Sequence, residues 1–172
     1  TNLPCYGIAG VGRESGMFLI GESTAILFRN DKYNLVDWGT FWLSETPDKV
    51  SIGWDAKYHR TCTWAILQNK ETKEQYAHIN THLDNVGKLA RDKSIELILE
   101  KSESFDMPVV VTGDFNLPKG SELYNKLTAN GLTDSSSLAL EADSGCTAHG
   151  YKDVVKGNPI DFVFLNEIIT DV

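Results

Sequence analysis

Apolar positions along the chain fall into short strand-like runs and two helical stretches. The most pronounced run is Val109-Val110-Val111, preceded by Met107-Pro108 and followed by Thr112-Gly113-Asp114-Phe115-Asn116. Three β-branched residues behind a proline, whose missing N–H does least harm at a strand start, predict a buried strand. If that strand runs to its tip, alternation places Asp114 and Asn116 on one face and Phe115 on the other. Residues 1–16 are Gly-rich and read as a loop, or a strand end feeding one. Gly21 to Arg29 reads as a strand headed by Glu22, and Tyr33 to Trp38 as its hairpin partner across Asn30-Asp31-Lys32. Residues 49–60 form a long polar connection. Thr61 to Leu67 and Gln75 to Leu83 form a second predicted hairpin. Tyr76, His78, Asn80 and His82 share one of its faces. A helix from Asp84 or Asn85 to about Ser104 carries Val86, Leu89, Ala90, Leu97 and Ile98 as its expected buried stripe. Ser121 caps a second helix that ends at Asn130-Gly131. Residues 133–150, with His149, read as polar loop, and Ile160 to Leu165 as the last strand, with Asp161, Val163 and Leu165 on one face. Strand pairs mixed with strand-linking helices indicate a layered α/β protein with mixed sheets.

Composition narrows the functional classes. The 172 residues fit a single domain spanning 1–172, and 41% hydrophobic with 23% charged residues is an ordinary globular mix. A net charge of −8 and a pI of about 4.9 disfavour a polyanionic partner unless a local basic patch or a divalent cation intervenes. Cys5, Cys62 and Cys146 are few, odd in number and far apart, which implies neither a zinc site nor a disulfide framework. No run is long enough to span a bilayer, and none resembles a signal peptide. The chain does not begin with Met, so its natural start is expected upstream.

Candidate chemistry gathers at strand ends: Glu22, Asn80, His82, Asp114, Asn116 and Asp161. Phosphate-ester hydrolysis needs this assortment. A carboxylate orients or deprotonates water, neutral donors meet charge developing on phosphoryl oxygens, and an imidazole protonates the leaving oxygen. A hard cation such as Mg²⁺ takes oxygen ligands and shields the substrate's charge. Taken singly, each residue reads as a turn, a cap or a hydrogen-bonded structural group; six together favour a site.

Asn80-Thr81-His82-Leu83-Asp84, Thr112-Gly113-Asp114-Phe115-Asn116 and Ile160-Asp161-Phe162-Val163-Phe164 resemble successive signatures of the endonuclease/exonuclease/phosphatase superfamily. Gly10-Val11-Gly12-Arg13, Gly21-Glu22 and residues 39–47 resemble a bacterial branch of it. The resemblance implies a deoxyribonuclease I-like four-layer sandwich, two mixed β-sheets flanked by helices, and a metal-dependent phosphoesterase acting on mono- or diesters. In that reading His82 contacts the scissile phosphate and serves as general acid, with Glu22 as its carboxylate partner. Asp114 orients the attacking water, Asn116 hydrogen-bonds phosphoryl oxygens, and Asp161 lies near the metal. Asn80 and Arg60 are phosphate or network residues. Asp114 and Asp161 are the implied ligands of Mg²⁺ or Mn²⁺. The implied substrate is a phosphate ester: a nucleotide, a nucleic acid, or a sugar or lipid phosphate. The implied location is the bacterial cytoplasm.

Two family features have no counterpart here, an early strand ending in a metal-binding Glu and a late Ser-Asp-His. The chain therefore reads as an internal portion lacking the first and last segments of the fold. By itself it is expected to be nearly inactive and to expose sheet edges that favour self-association. The alternatives are a catalytically inactive scaffold or binding domain of the same fold, or a structural domain whose strand-end polar groups are caps and turns. A carboxylate beside His82 is expected to raise its pKa. Trp38, Trp42, Trp54 and Tyr58 are either core residues or the lining of a base or sugar pocket.

Overall fold

The computed structural model describes residues 3–18, 20–142, 145–148 and 157–166, so His149 lies outside the described residues. The strands are β1 (Tyr6–Ala9), β2 (Ile26–Arg29), β3 (Tyr33–Trp42), β4 (Thr61–Asn69), β5 (Gln75–His82), β6 (Val109–Asp114), β7 (Leu132–Asp134) and β8 (Asp161–Asn166). The helices are α1 (Lys88–Glu103) and α2 (Glu122–Ala129). Six strands form a mixed sheet in the order β3-β4-β5-β6-β8-β7, and β1 and β2 form a separate two-stranded sheet. Among the described residues only β5 and β6, linked through α1, pair in parallel; the other pairs are antiparallel.

Strand alternation divides the core into two. Ala77 and Ile79 of β5, Val109 and Val111 of β6, and Phe162 and Phe164 of β8 pack against Ile95 and Ile98 of α1 and Leu123 and Leu127 of α2. On the opposite face, Ala65 and Leu67 of β4 meet Ala9, Ile26 and Phe28 of the small sheet. The result is helices, large sheet and small sheet in layers, with the tips of β5, β6 and β8 beyond the small sheet's cover.

Two local expectations are corrected. Strand β2 begins at Ile26 rather than Gly21, whose φ of +89° starts a bend, so Glu22 lies in a loop before the strand. Nor do β2 and β3 form a hairpin. Ile26 and Phe28 bury across the face of the large sheet, so β2 pairs with β1 while β3 pairs with β4. Burial of a whole face outweighs the local turn signal.

Helix α1 also departs from expectation. It is not capped by Asp84 or Asn85. Its N-cap is Gly87, and Asp55, more than thirty residues earlier, accepts from Ala90 N at 2.6 Å and Leu89 N at 3.3 Å. The later start rotates the buried stripe to Ala90, Ser94, Ile95, Ile98, Leu99 and Ser102, leaving Val86 and Leu89 exposed. Two of the six are serines, which an apolar-only count passes over. Helix α2 follows the sequence reading: Ser121 Oγ accepts from Tyr124 N, Asn130 caps the C-terminus, and Gly131 takes a φ of +82°. No helix among the described residues is long and apolar enough to cross a membrane.

Candidate active site

Register builds the site. His82 of β5 sits opposite Asp114 of β6, and Asp114 opposite Asp161 of β8. Three polar side chains thus end three adjacent strands in one row, on the face the helices leave open. Gly113 permits this close approach. Its φ is +146°, and a Cβ there would lie 2.0 Å from the Thr81 carbonyl oxygen.

His82 lies between two carboxylates, with Nε2 3.5 Å from Asp114 Oδ2 and Nδ1 3.5 Å from Glu22 Oε1. Glu22, at the rim, also accepts from Arg13 Nη1 at 2.7 Å, an anchor the sequence reading did not find. Both carboxylates act to raise the His82 pKa, as expected, but they do not set its net direction. Burial pushes it below the usual imidazole value, Arg60 adds to that, and Asp114 and Glu22 only partly offset them. Asp114 moves the other way: burial raises its carboxyl above the ordinary 3.8 and Asp161 adds to the rise, against the lowering by Asn116 N–H and His82. Each group is thus pushed toward its neutral form.

Strand β6 ends at Asp114, and Asn116 turns into a left-handed conformation with a φ of +49°. Asn116 N donates to Asp114 Oδ1 at 2.8 Å, and its side-chain amide donates to the Leu83 carbonyl at 2.9 Å. The turn and the site therefore share the same residues. Asn80 borders the cleft with both ends of its carboxamide engaged: Nδ2 donates to Ala25 O, and Oδ1 accepts from Thr112 Oγ1 at 3.0 Å. Arg60 lies behind the cleft. It is 5% exposed, its Nε donates to Asp84 Oδ2 at 3.4 Å, and its buried Nη1 has no hydrogen-bond partner among the described residues.

The cleft has a volume of about 910 Å³ and is bordered by Asn80, His82, Asp114 and Asp161. A further wall, comprising Lys119, Asp134, Ser135 and Ser136, was not singled out from the sequence. Its one linear signal is the placement of Lys119 three residues beyond Asn116. Trp38, Trp42, Trp54 and Tyr58 do not line the cleft. Trp42 is buried and its Nε1 donates to Arg13 O, while Tyr58 has Arg13, Lys57 and Arg60 around its ring at 5.8, 5.1 and 5.4 Å.

The donor set suits a hard cation in an open position. Asp114 and Asp161 face each other across paired strands, and Asp161 adds to the push of the Asp114 carboxyl toward its neutral form. Among the described residues no three His, Cys, Asp or Glu side chains gather into a closed metal cage. Magnesium commonly binds through one or two carboxylates, its waters and a substrate phosphate, so two acids at a cleft fit it.

The fold is shared with known proteins. A structure of an endonuclease/exonuclease/phosphatase family protein from Bacteroides thetaiotaomicron superposes with a TM-score of 0.84 at 35% identity, covering 96% of this chain and 62% of that one. The mannosyl-6-phosphatase of the same organism gives 0.84 at 35% identity, covering 95% and 64%. A family protein from Bacteroides vulgatus gives 0.87 at 37% identity, covering 96% and 66%. The chain thus spans 62–66% of the length of these three proteins. No curated protein matches the sequence. The profile of the Endonuclease/Exonuclease/phosphatase family matches residues 2–170, and the chain belongs to that family.

Proposed function

We propose that the cleft hydrolyses phosphate esters by attack of water, with Asp114 and Asp161 holding Mg²⁺ or Mn²⁺. The observation that carries this reading is the in-register row of His82, Asp114 and Asp161 on three neighbouring strands, facing a cleft of about 910 Å³. Family membership supports phosphoester chemistry in general, and a relative at 35% identity is a mannosyl-6-phosphatase. The cation, when bound, supplies Lewis-acid shielding of phosphoryl charge.

The chain's own groups divide the remaining work. Asp114, short of hydrogen-bond donors and shifted toward protonation, orients the water and takes its proton. His82, with a carboxylate at each ring nitrogen, is stabilised as an imidazolium when a phosphate dianion arrives, and it then protonates the leaving oxygen. Glu22, fixed by Arg13, orients the imidazole. Asn116 and Asn80 hold the loop and strand around these groups, and Arg60 contributes positive potential from behind. Two carboxylates make a weak cation site, so we also propose that this chain alone turns over slowly.

Phosphate release from p-nitrophenyl phosphate and from bis(p-nitrophenyl) phosphate in Mg²⁺ tests the reading and separates mono- from diesterase action. Asp114→Ala and His82→Gln should each cut the rate the unaltered chain shows by ~10²–10⁴-fold. A rate that survives both substitutions places the chemistry elsewhere. Absence of both turnover and cation binding would favour the inactive-scaffold alternative.

A further inference from the structure

The cleft is larger than a phosphate group needs, being of the size that holds a whole organic ligand. The reacting row occupies β5, β6 and β8. The next strand along the sheet is β7, and there the cleft has a built wall. Asp134, 5% exposed, ends β7. Its Oδ1 accepts from Ser136 N at 2.8 Å, and its Oδ2 accepts from Tyr124 O–H at 2.6 Å. The same Oδ2 lies 3.0 Å from Lys119 Nζ, which donates to Ser136 Oγ at 2.6 Å. A buried carboxylate therefore fixes an ammonium and a hydroxyl on the cleft, with Ser135 beside them.

We propose that Lys119 and Ser136 are specificity-determining residues that bind the uncharged, hydroxyl-bearing body of a phosphate monoester, an assignment that rests on the phosphoesterase reading above. Charge decides between a polyol and a second phosphate. Lys119 is already balanced by Asp134, so the wall offers N–H and O–H donors with no net positive charge. A second phosphate would find no net positive charge on this wall to offset its own, close to Asp114 and Asp161. Neutral hydroxyl oxygens accept these donors at no such cost. Lys119 retains one ammonium proton beyond its two contacts, and the Ser136 hydroxyl hydrogen is left to donate.

Calorimetric binding in Mg²⁺ compares glucose 6-phosphate, cyclohexylmethyl phosphate of similar shape without hydroxyls, and glucose 1,6-bisphosphate. The unaltered protein should prefer glucose 6-phosphate to both others. Ser136→Ala leaves the Lys119–Asp134 pair in place and should reduce the preference over cyclohexylmethyl phosphate about threefold to tenfold. Lys119→Met should reduce it at least as much, with Lys119→Arg restoring part of it and thermal melts confirming folding. Preference ratios unchanged in both variants, or tightest binding of the bisphosphate, would overturn the assignment. Equal binding of all three by the unaltered protein overturns it while leaving the phosphoesterase reading intact. Failure to bind any of them overturns it as well, and turnover of bis(p-nitrophenyl) phosphate then decides whether the phosphoesterase reading survives as diesterase action.

Discussion

Two aspartates at neighbouring strand ends have opposite surroundings. Asp84, two residues beyond His82, is 1% exposed and accepts from five donors: Val86 N, Gly87 N, Lys57 N, Tyr58 N and Arg60 Nε. Burial alone would raise its pKa. The backbone donors outweigh burial and hold the carboxyl at about 2. Asp114 ends the adjacent strand and accepts one backbone N–H, from Asn116, while facing His82 and Asp161. Its carboxyl is pushed up instead of down. A saturated carboxylate ties the connection before β4 to the turn before α1. A donor-poor one beside another acid retains an unmet electrostatic demand, which the cation and water proposed above would satisfy.

The comparison breaks if the two positions respond alike. Asp84→Ala should destabilise the fold by about 3–5 kcal/mol, because Arg60 is left buried without its partner. Asp114→Ala, which relieves repulsion with Asp161, should leave the denaturant midpoint nearly unchanged or higher. Matching losses in denaturant melts would remove the distinction. Acid sharpens it. Asp84 ionises at about 2 in the folded protein against 3.8 ordinarily, so its contribution is present above pH ~4 and lost as pH falls through 2. At about 1.4 kcal/mol per unit, that is about 2 kcal/mol. Stability measured against pH should show this acid limb, and Asp84→Asn should flatten it. A smaller effect concerns His82. Its imidazole should titrate below 6.5 by NMR, and Asp114→Asn should lower it further by removing a carboxylate that favours the charged ring. An upward move would contradict the arrangement.

The contrast also marks what could be read from the linear sequence. The row of His82, Asp114 and Asp161 was legible because each ends a β-branched or aromatic strand, and alternation fixes the face. Helix α2 was legible because Ser121, Asn130 and Gly131 are local signals. The cap of α1 by Asp55 was not, since a carboxylate distant in sequence carries no mark of its destination. The expected β2–β3 hairpin failed for a related reason: the turn is local, whereas the burial of Ile26 and Phe28 against β4 is not. Arg60 reads as a phosphate or network residue, and the Asp84 that holds it in a network is not marked as its partner in the sequence. Lys119 and Ser136 lie some seventeen residues apart and converge only because Asp134 fixes both.

Paramagnetic Mn²⁺ tests the central claim most directly. Titrated into the isotopically labelled protein, it should broaden the NMR resonances of Asp114, Asp161 and His82 first, and substitution of both acids by Asn should abolish that broadening. Broadening centred on another acidic patch, or persisting in the double variant, would contradict the placement of the cation at these strand ends.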